Sequence, residues 1–180
     1  MHTLRAGSLI ILCCVLVIPQ TARAQPTIKI SSLPFNEMIK ELSSPEILVR
    51  FMRKNFTFID DRRLFGTEDY WQSPEELWSR REGDCEDYAL FAKEALEKQG
   101  MTAYVVSFYG NNGYAHTVTI FEENGRYDVI NEDRLFKYRT KTIEEALSRV
   151  YPDWSWGAFA EQRGTRGWAI QKINRTESNS

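Results

Sequence analysis

Cysteine and histidine are what this sequence has least of. Its 180 residues include three Cys and two His, and Cys13, Cys14 and His2 all fall in the first few turns of chain. Beyond that stretch a single Cys85 and a single His116 remain. One thiol closes no internal disulfide, which excludes the stapled framework common in exported domains. A zinc centre is equally disfavoured, because one Cys and one His would need two carboxylates in an unusual ligand set. There is no excess of positive charge either: 23 Lys and Arg face 25 Asp and Glu, for a net charge of −2. With no long run of one sign, nucleic acid is not an expected partner. No apolar run approaches the ~20 residues that a spanning helix needs. Repeats and low-complexity tracts are absent as well.

The N-terminal stretch has its own logic. Arg5 supplies a positive start, Ser8 to Pro19 form a short apolar segment, and Ala22-Arg23-Ala24 place small residues before Gln25. Residues 1–24 therefore read as a signal peptide, and Cys13 and Cys14 as apolar members of it. The expectation is a periplasmic or secreted protein of residues 25–180, with membrane contact only if the segment stays uncleaved. Its length suits one compact domain able to bury a core.

Local signals then set out the elements. Ser44-Pro45-Glu46 opens a helix in which Ile47, Leu48, Phe51 and Met52 share a face. Residues 56–66 read as a loop. Ser73-Pro74-Glu75-Glu76 carries a capping box for a short helix that stops near Gly83. Asp84 is an N-cap for a third helix, with Cys85 in its first turn and an inward stripe of Tyr88, Ala89, Ala92, Ala95 and Leu96 ending at Gly100. From there the apolar period changes to two, over residues 103–109 and 115–122, and Asn124-Gly125 turns a hairpin into residues 126–131. Thr142 with Glu145 opens one more helix, and residues 168–173 suit a last strand. Helices first and an antiparallel sheet after them make an α+β fold, with the Cys85 helix at its centre. The aromatic residues Tyr151, Trp154, Trp156, Phe159 and Trp168 suit either a groove or the core, and the core is the simpler account.

Cys85 at a helix start has a chemical meaning. Unpaired backbone N–H groups and the helix dipole stabilise a thiolate there and can also hold an oxyanion. Asp84 and Glu86 work against the thiolate by their charge. His116 shares a strand face with Val118 and Ile120, so it points to an apolar side. A two-residue Asn124-Gly125 loop pairs positions whose numbers sum to 249, which puts Asp133 opposite His116 and Asn131 diagonal to it. Asp128 falls on the other face. The residue that orients the imidazole is therefore expected to be Asn131 or Asp133.

Residues Asp69-Tyr70-Trp71-Gln72-Ser73-Pro74-Glu75-Glu76 and Gly83-Asp84-Cys85-Glu86-Asp87-Tyr88-Ala89 resemble the bacterial transglutaminase-like cysteine peptidases, a branch of the papain-like transglutaminase-like superfamily. The likeness runs from about Thr67 to Asp133. It implies a papain/transglutaminase-like core and a cysteine peptidase that cleaves an amide through a thioester, acting on a protein or peptide. Carried over residue by residue, Cys85 is the nucleophile, His116 the base and Asn131 the orienting group, with Asp133 in reserve because the family more often has Asp. The resemblance further implies an aromatic side chain near the nucleophile, for which Trp71 and Trp78 are the oxyanion candidates. It also implies calcium held by Asp84, Glu86 and Asp87, although the thiol chemistry itself requires no cofactor. Acyl transfer to an amine is the alternative enzyme, and an inactive interaction module with the same fold is the alternative outside enzymes.

Overall fold

Ser44 Oγ accepts from the Ile47 N–H at 3.3 Å, so the Ser-Pro-Glu signal starts a helix where local chemistry places it. A computed structural model describes residues 30–162 and 168–175; the expected signal peptide, Cys13 and Cys14 lie outside the described residues. In chain order the elements begin with α1 (Phe35–Glu41) and α2 (Pro45–Asn55). Helix α1 has no counterpart in the sequence reading. It is short and has no side-chain cap, yet Phe35, Met38 and Ile39 are buried at helical spacing.

The stretch expected as a loop holds two small elements, β1 (Thr57–Phe58) and α3 (Asp61–Leu64). Asp60 caps α3 by accepting from the Arg63 N–H at 3.1 Å. Next comes α4 (Pro74–Arg80), whose capping box is complete: Glu76 N–H donates to Ser73 Oγ at 3.2 Å and Ser73 N–H to Glu76 Oε2 at 2.7 Å. Arg81 ends α4 in the left-handed region (φ 70°), and β2 (Glu82–Gly83) then pairs in parallel with β1. That pairing ties the 57–58 segment to the start of α5 (Cys85–Lys98).

Helix α5 is buried on more than one side. The expected stripe of Tyr88, Ala89, Ala92, Ala95 and Leu96 is joined by Leu90 and Phe91. An apolar helix of this kind belongs inside a fold, and α5 lies between the other N-terminal helices and the sheet.

The sheet contains β3 (Thr102–Gly110), β4 (Ala115–Glu123), β5 (Arg126–Asn131), β6 (Arg134–Thr140), β7 (Trp154–Gln162) and β8 (Trp168–Asn174), with α6 (Ile143–Val150) between β6 and β7. The strand order is β6-β5-β4-β3-β7-β8, all antiparallel. Asn124 (φ 54°) and Gly125 (φ 68°) form the turn that the sequence requires, and pairs such as Ile120 with Val129 keep the register sum of 249. Strands β6 and β7 were not legible as strands. In β7, Trp154 is fully buried, whereas Trp156 sits half-buried on the sheet, stacked on Tyr109 at 3.9 Å.

Each face of the sheet covers a separate apolar cluster. One joins α1, α2, α4 and α5 to Ala103, Phe121 and Ile130. The other packs Ala146 and Leu147 of α6 against Val106, Phe108, Val118, Ile120, Val129 and Trp154. Side chains such as Phe91 and Ile120, fully removed from water, each contribute about 1.5–3 kcal/mol.

Candidate active site

Cys85 occupies the first position of α5, half-buried, and its thiol donates to Glu86 Oε2 at 3.2 Å. The helix start was expected to favour the thiolate. Burial is the larger effect and raises the thiol pKa; the Glu86 bond and the Thr117 backbone and hydroxyl donors oppose that rise, while Asp84 adds to it. Glu86 is itself buried, and burial first, then the Cys85 and Asp84 charges, push its carboxyl up to about 11. Burial therefore disfavours the charged form of both the thiol and the carboxyl.

The start of α5 is anchored by Asp87. Its carboxylate accepts from Gln72 N–H at 2.7 Å, from Gln72 Nε2 at 2.6 Å and from Asp84 N–H at 3.1 Å. Burial nonetheless outweighs these donors and pushes the Asp87 carboxyl up to about 6. Gly83 leaves the room this requires: a Cβ there would collide with the Asp87 carboxylate and lie 2.7 Å from Gln72 Nε2. Gln72 had no assigned role in the sequence beyond its place in the family-like run. Its partner lies 15 positions along the chain, beyond the reach of any local pattern.

His116 Nε2 lies 2.7 Å from Asn131 Oδ1. With an amide oxygen as partner, Nε2 carries the proton and Nδ1 keeps its lone pair. On β4, Thr119 Oγ1 donates to the Ala89 carbonyl of α5, so Thr117 and Thr119 face that helix, while His116 meets Phe108 edge-to-face at 5.7 Å on the alternate side. The Cys85 thiol is thus set against Thr117, the residue next to His116. Among the described residues its hydrogen bond goes to Glu86 rather than to His116.

Asp133 does not reach His116, which corrects the position extrapolated from the hairpin. Strand β5 ends at Asn131, Glu132 turns in the left-handed region (φ 51°), and β6 begins at Arg134, paired with Asn131. Asp133 therefore lies in the turn, where Arg53 of α2 donates to its carboxylate through Nε at 3.2 Å and to its carbonyl through Nη2 at 2.8 Å.

The two tryptophans separate. Trp71 packs beside Ala89, Leu90 and Val105, and its indole N–H donates to Asp69 Oδ1 at 3.0 Å. Trp78 stacks on Phe51 at 5.7 Å, with the Arg81 guanidinium 3.1 Å from its ring centroid. Trp78 is thereby partly buried against the core cluster and held by aromatic and cation–π packing.

The carboxylates around α5 extend beyond the three named from the sequence. Asp61 and Asp69 join Glu86 in one group, Asp61 and Asp84 join Asp87 in another, and Asp84, Cys85 and Glu86 make a third, each with ligand atoms within 4.8 Å of one another. Asp61 is 2% exposed. It accepts from Tyr70 N–H, and its own N–H donates to Asp84 Oδ2 at 3.3 Å. Asp61 Oδ1 and Asp84 Oδ1 are buried without a hydrogen-bond partner among the described residues. No Lys or Arg among them pairs with Asp61, Asp69, Asp84, Glu86 or Asp87. Burial raises the pKa of both Asp61 and Asp84 accordingly. Clustered hard oxygen donors without a cationic neighbour fit a divalent cation such as calcium. Asp61 was missed because α3 is distant in sequence and carries no motif.

Comparison with known proteins adds a family. The sequence model described as "Bacterial transglutaminase-like cysteine proteinase BTLCP" matches residues 35–137. Among solved structures, calcium-bound LapG of Legionella pneumophila is 19% identical with a TM-score of 0.46, covering 84% of this chain and 77% of its own. EGTA-treated LapG from the same organism is 17% identical with a TM-score of 0.45, covering 78% and 74%. The curated proteins contain no match.

Proposed function

The chain belongs to the bacterial transglutaminase-like cysteine proteinases, and from that premise we propose an exported peptidase in which Cys85 attacks, His116 moves the proton and Asn131 orients the imidazole. The observation that carries this reading is the 2.7 Å bond from His116 Nε2 to Asn131 Oδ1 beside the strand residue that touches the Cys85 thiol. That bond commits the Nε2 proton and leaves Nδ1 as the basic atom.

In the proposed cycle Nδ1 of His116 takes the thiol proton as Cys85 Sγ bonds to the scissile carbonyl carbon, and the carbonyl oxygen becomes an oxyanion. Backbone N–H groups at the start of α5 are the donors for it, a role whose loss costs about 100- to 1000-fold in rate. The imidazolium then gives its proton to the departing amine as the C–N bond breaks, leaving a thioester on Cys85. Water attacks the thioester, His116 accepts its proton and returns it to sulfur, and the carboxylic product leaves.

The carboxylates enter this proposal as a calcium site of Asp84 and Glu86, extended by Asp61 and Asp69, with Asp87 bracing the helix start. A calcium ion held there would supply positive charge that keeps these groups ionised and offsets their repulsion of a Cys85 thiolate. Export rests on the signal-peptide pattern of residues 1–24 and puts the protein in the periplasm or outside the cell.

The test is alkylation of Cys85 by iodoacetamide near neutral pH with calcium present. A rate above that of a free thiol, lost in His116→Ala, supports the reading; equal and ordinary rates in both proteins would sink it.

A further inference from the structure

Trp154 and Trp156 stand two residues apart in β7, and a regular strand would turn both to one face. A β-bulge separates them. Tyr109 pairs with Trp156 and Gly110 with Trp154, so Ser155 is the extra residue, and its Oγ donates to the Tyr109 carbonyl at 2.9 Å. Trp154 therefore turns into the cluster beneath α6, where its indole N–H donates to Ser148 Oγ at 2.9 Å. Trp156 pairs with Tyr109, which alternates with Ser107 and Val105 on the face that carries α5.

That face connects Trp156 to the nucleophile. Thr119 bonds to Ala89 of α5, and Thr117, two residues along β4, meets the Cys85 thiol one helical turn away. From Thr117 a row of paired residues crosses the sheet through Ser107 of β3 and Ala158 of β7 to Lys172 of β8. Paired residues share a face, and the Ser107 and Thr117 hydroxyls, 2.8 Å apart, show it for the first pair. Tyr109 and Trp156 make the next row, their rings stacked at 3.9 Å, and the Lys172 ammonium lies 4.7 Å from the Trp156 ring centroid. Ser107 and Ala158 are small and buried, so the two rings and the lysine are what this row presents.

Their polar ends are unspent. Lys172 is exposed, and among the described residues no carboxylate pairs with it. Among the same residues neither the Tyr109 hydroxyl nor the Trp156 indole N–H makes a hydrogen bond. Neighbouring strands lie about 4.8 Å apart, so Lys172 stands about 14 Å from Thr117, a span that an extended peptide covers with roughly four residues.

We propose that Tyr109, Trp156 and Lys172 form a substrate subsite that takes an acidic side chain roughly three to four residues from the scissile bond. The proposal rests on reading Cys85 as the nucleophile. A peptide leaving Cys85 across β3 and β7 lies on the stacked rings, and its carboxylate meets the ammonium. The bulge and the Ser155 bond hold the rings in place beforehand, so binding orders little of the protein.

Short peptides with an N-terminal iodoacetyl group test this, because they alkylate Cys85 and carry a charge to a set distance. The probes are iodoacetyl-Gly-Gly-Gly-Glu-amide, its counterpart ending in Lys-amide, and iodoacetyl-Glu-Gly-Gly-Gly-amide, used on the full chain with calcium at about 0.15 M salt. Comparing probes within one protein cancels any change in Cys85 itself. In the wild type the distal-Glu probe should label about threefold faster than either of the others. Lys172→Met should bring the distal-Glu and Lys rates together, and Lys172→Glu should invert their order. Equal rates in the wild type, or a preference that survives Lys172→Glu, would overturn the proposal. So would an equal gain for the proximal-Glu probe, which marks long-range attraction without a subsite. Iodoacetamide reports on the other reading: equal, ordinary rates in the wild type and His116→Ala remove the activated nucleophile, whatever the order of the peptides.

Discussion

Asn131 and Asp133 stand two residues apart at the end of one hairpin, and the structure gives them different partners: Asn131 Oδ1 meets His116 Nε2 at 2.7 Å, and Asp133 meets Arg53. Under the proposed mechanism only Asn131 orients the base. Asn131→Ala is expected to slow Cys85 alkylation by about 10- to 100-fold, and Asn131→Asp to keep most of it. Asp133→Asn should change it less than twofold, roughly the effect of losing an exposed charge. A larger loss in Asp133→Asn than in Asn131→Ala would reverse the assignment.

Arg53 is itself 60% exposed and its partner 27%, so Arg53→Ala should cost no more than about 1 kcal/mol in a denaturant titration. Its bond to the Asp133 carbonyl also braces the turn after Asn131. A few-fold drop in alkylation rate is therefore expected beside a small stability change.

Gly83 touches the Asp87 carboxylate, Gln72 Nε2 and Leu77. Gly83→Ala should destabilise the fold by about 2–3 kcal/mol, because the atoms it meets belong to a buried hydrogen-bonded unit that has little room to move. Urea unfolding of the variant and the wild type measures this. A change below about 0.5 kcal/mol would show that the start of α5 can shift.

Calcium at 100 times its dissociation constant would add about 2.7 kcal/mol of stability, so EGTA should lower Tm and added calcium restore it. Asp84→Asn and Asp61→Asn are expected to weaken that response. Asp87→Asn should lower Tm with or without calcium, because Asp87 serves the helix start through Gln72 and Asp84. A Tm indifferent to chelator would remove the proposed site.

What the sequence determined by itself was whatever short-range chemistry controls. The Ser-Pro-Glu and Ser-Pro-Glu-Glu starts placed α2 and α4, the period-two stretches and Asn124-Gly125 set the β4–β5 register, and the apolar stripe marked α5 as central. That same register narrowed the partners of His116 to Asn131 and Asp133. It could not choose between them, because the choice depends on where β5 stops and on Arg53, 80 positions away. The packing of Trp78 under Arg81, the arrival of Asp61 beside Asp84, and the short β1–β2 pair likewise join segments that carry no local sign of one another. For Cys85 the division is sharpest. Its place at a helix start was readable from Asp84, but the rise in its thiol pKa comes from burial, against the Glu86 bond, and burial is set only when the whole chain has packed.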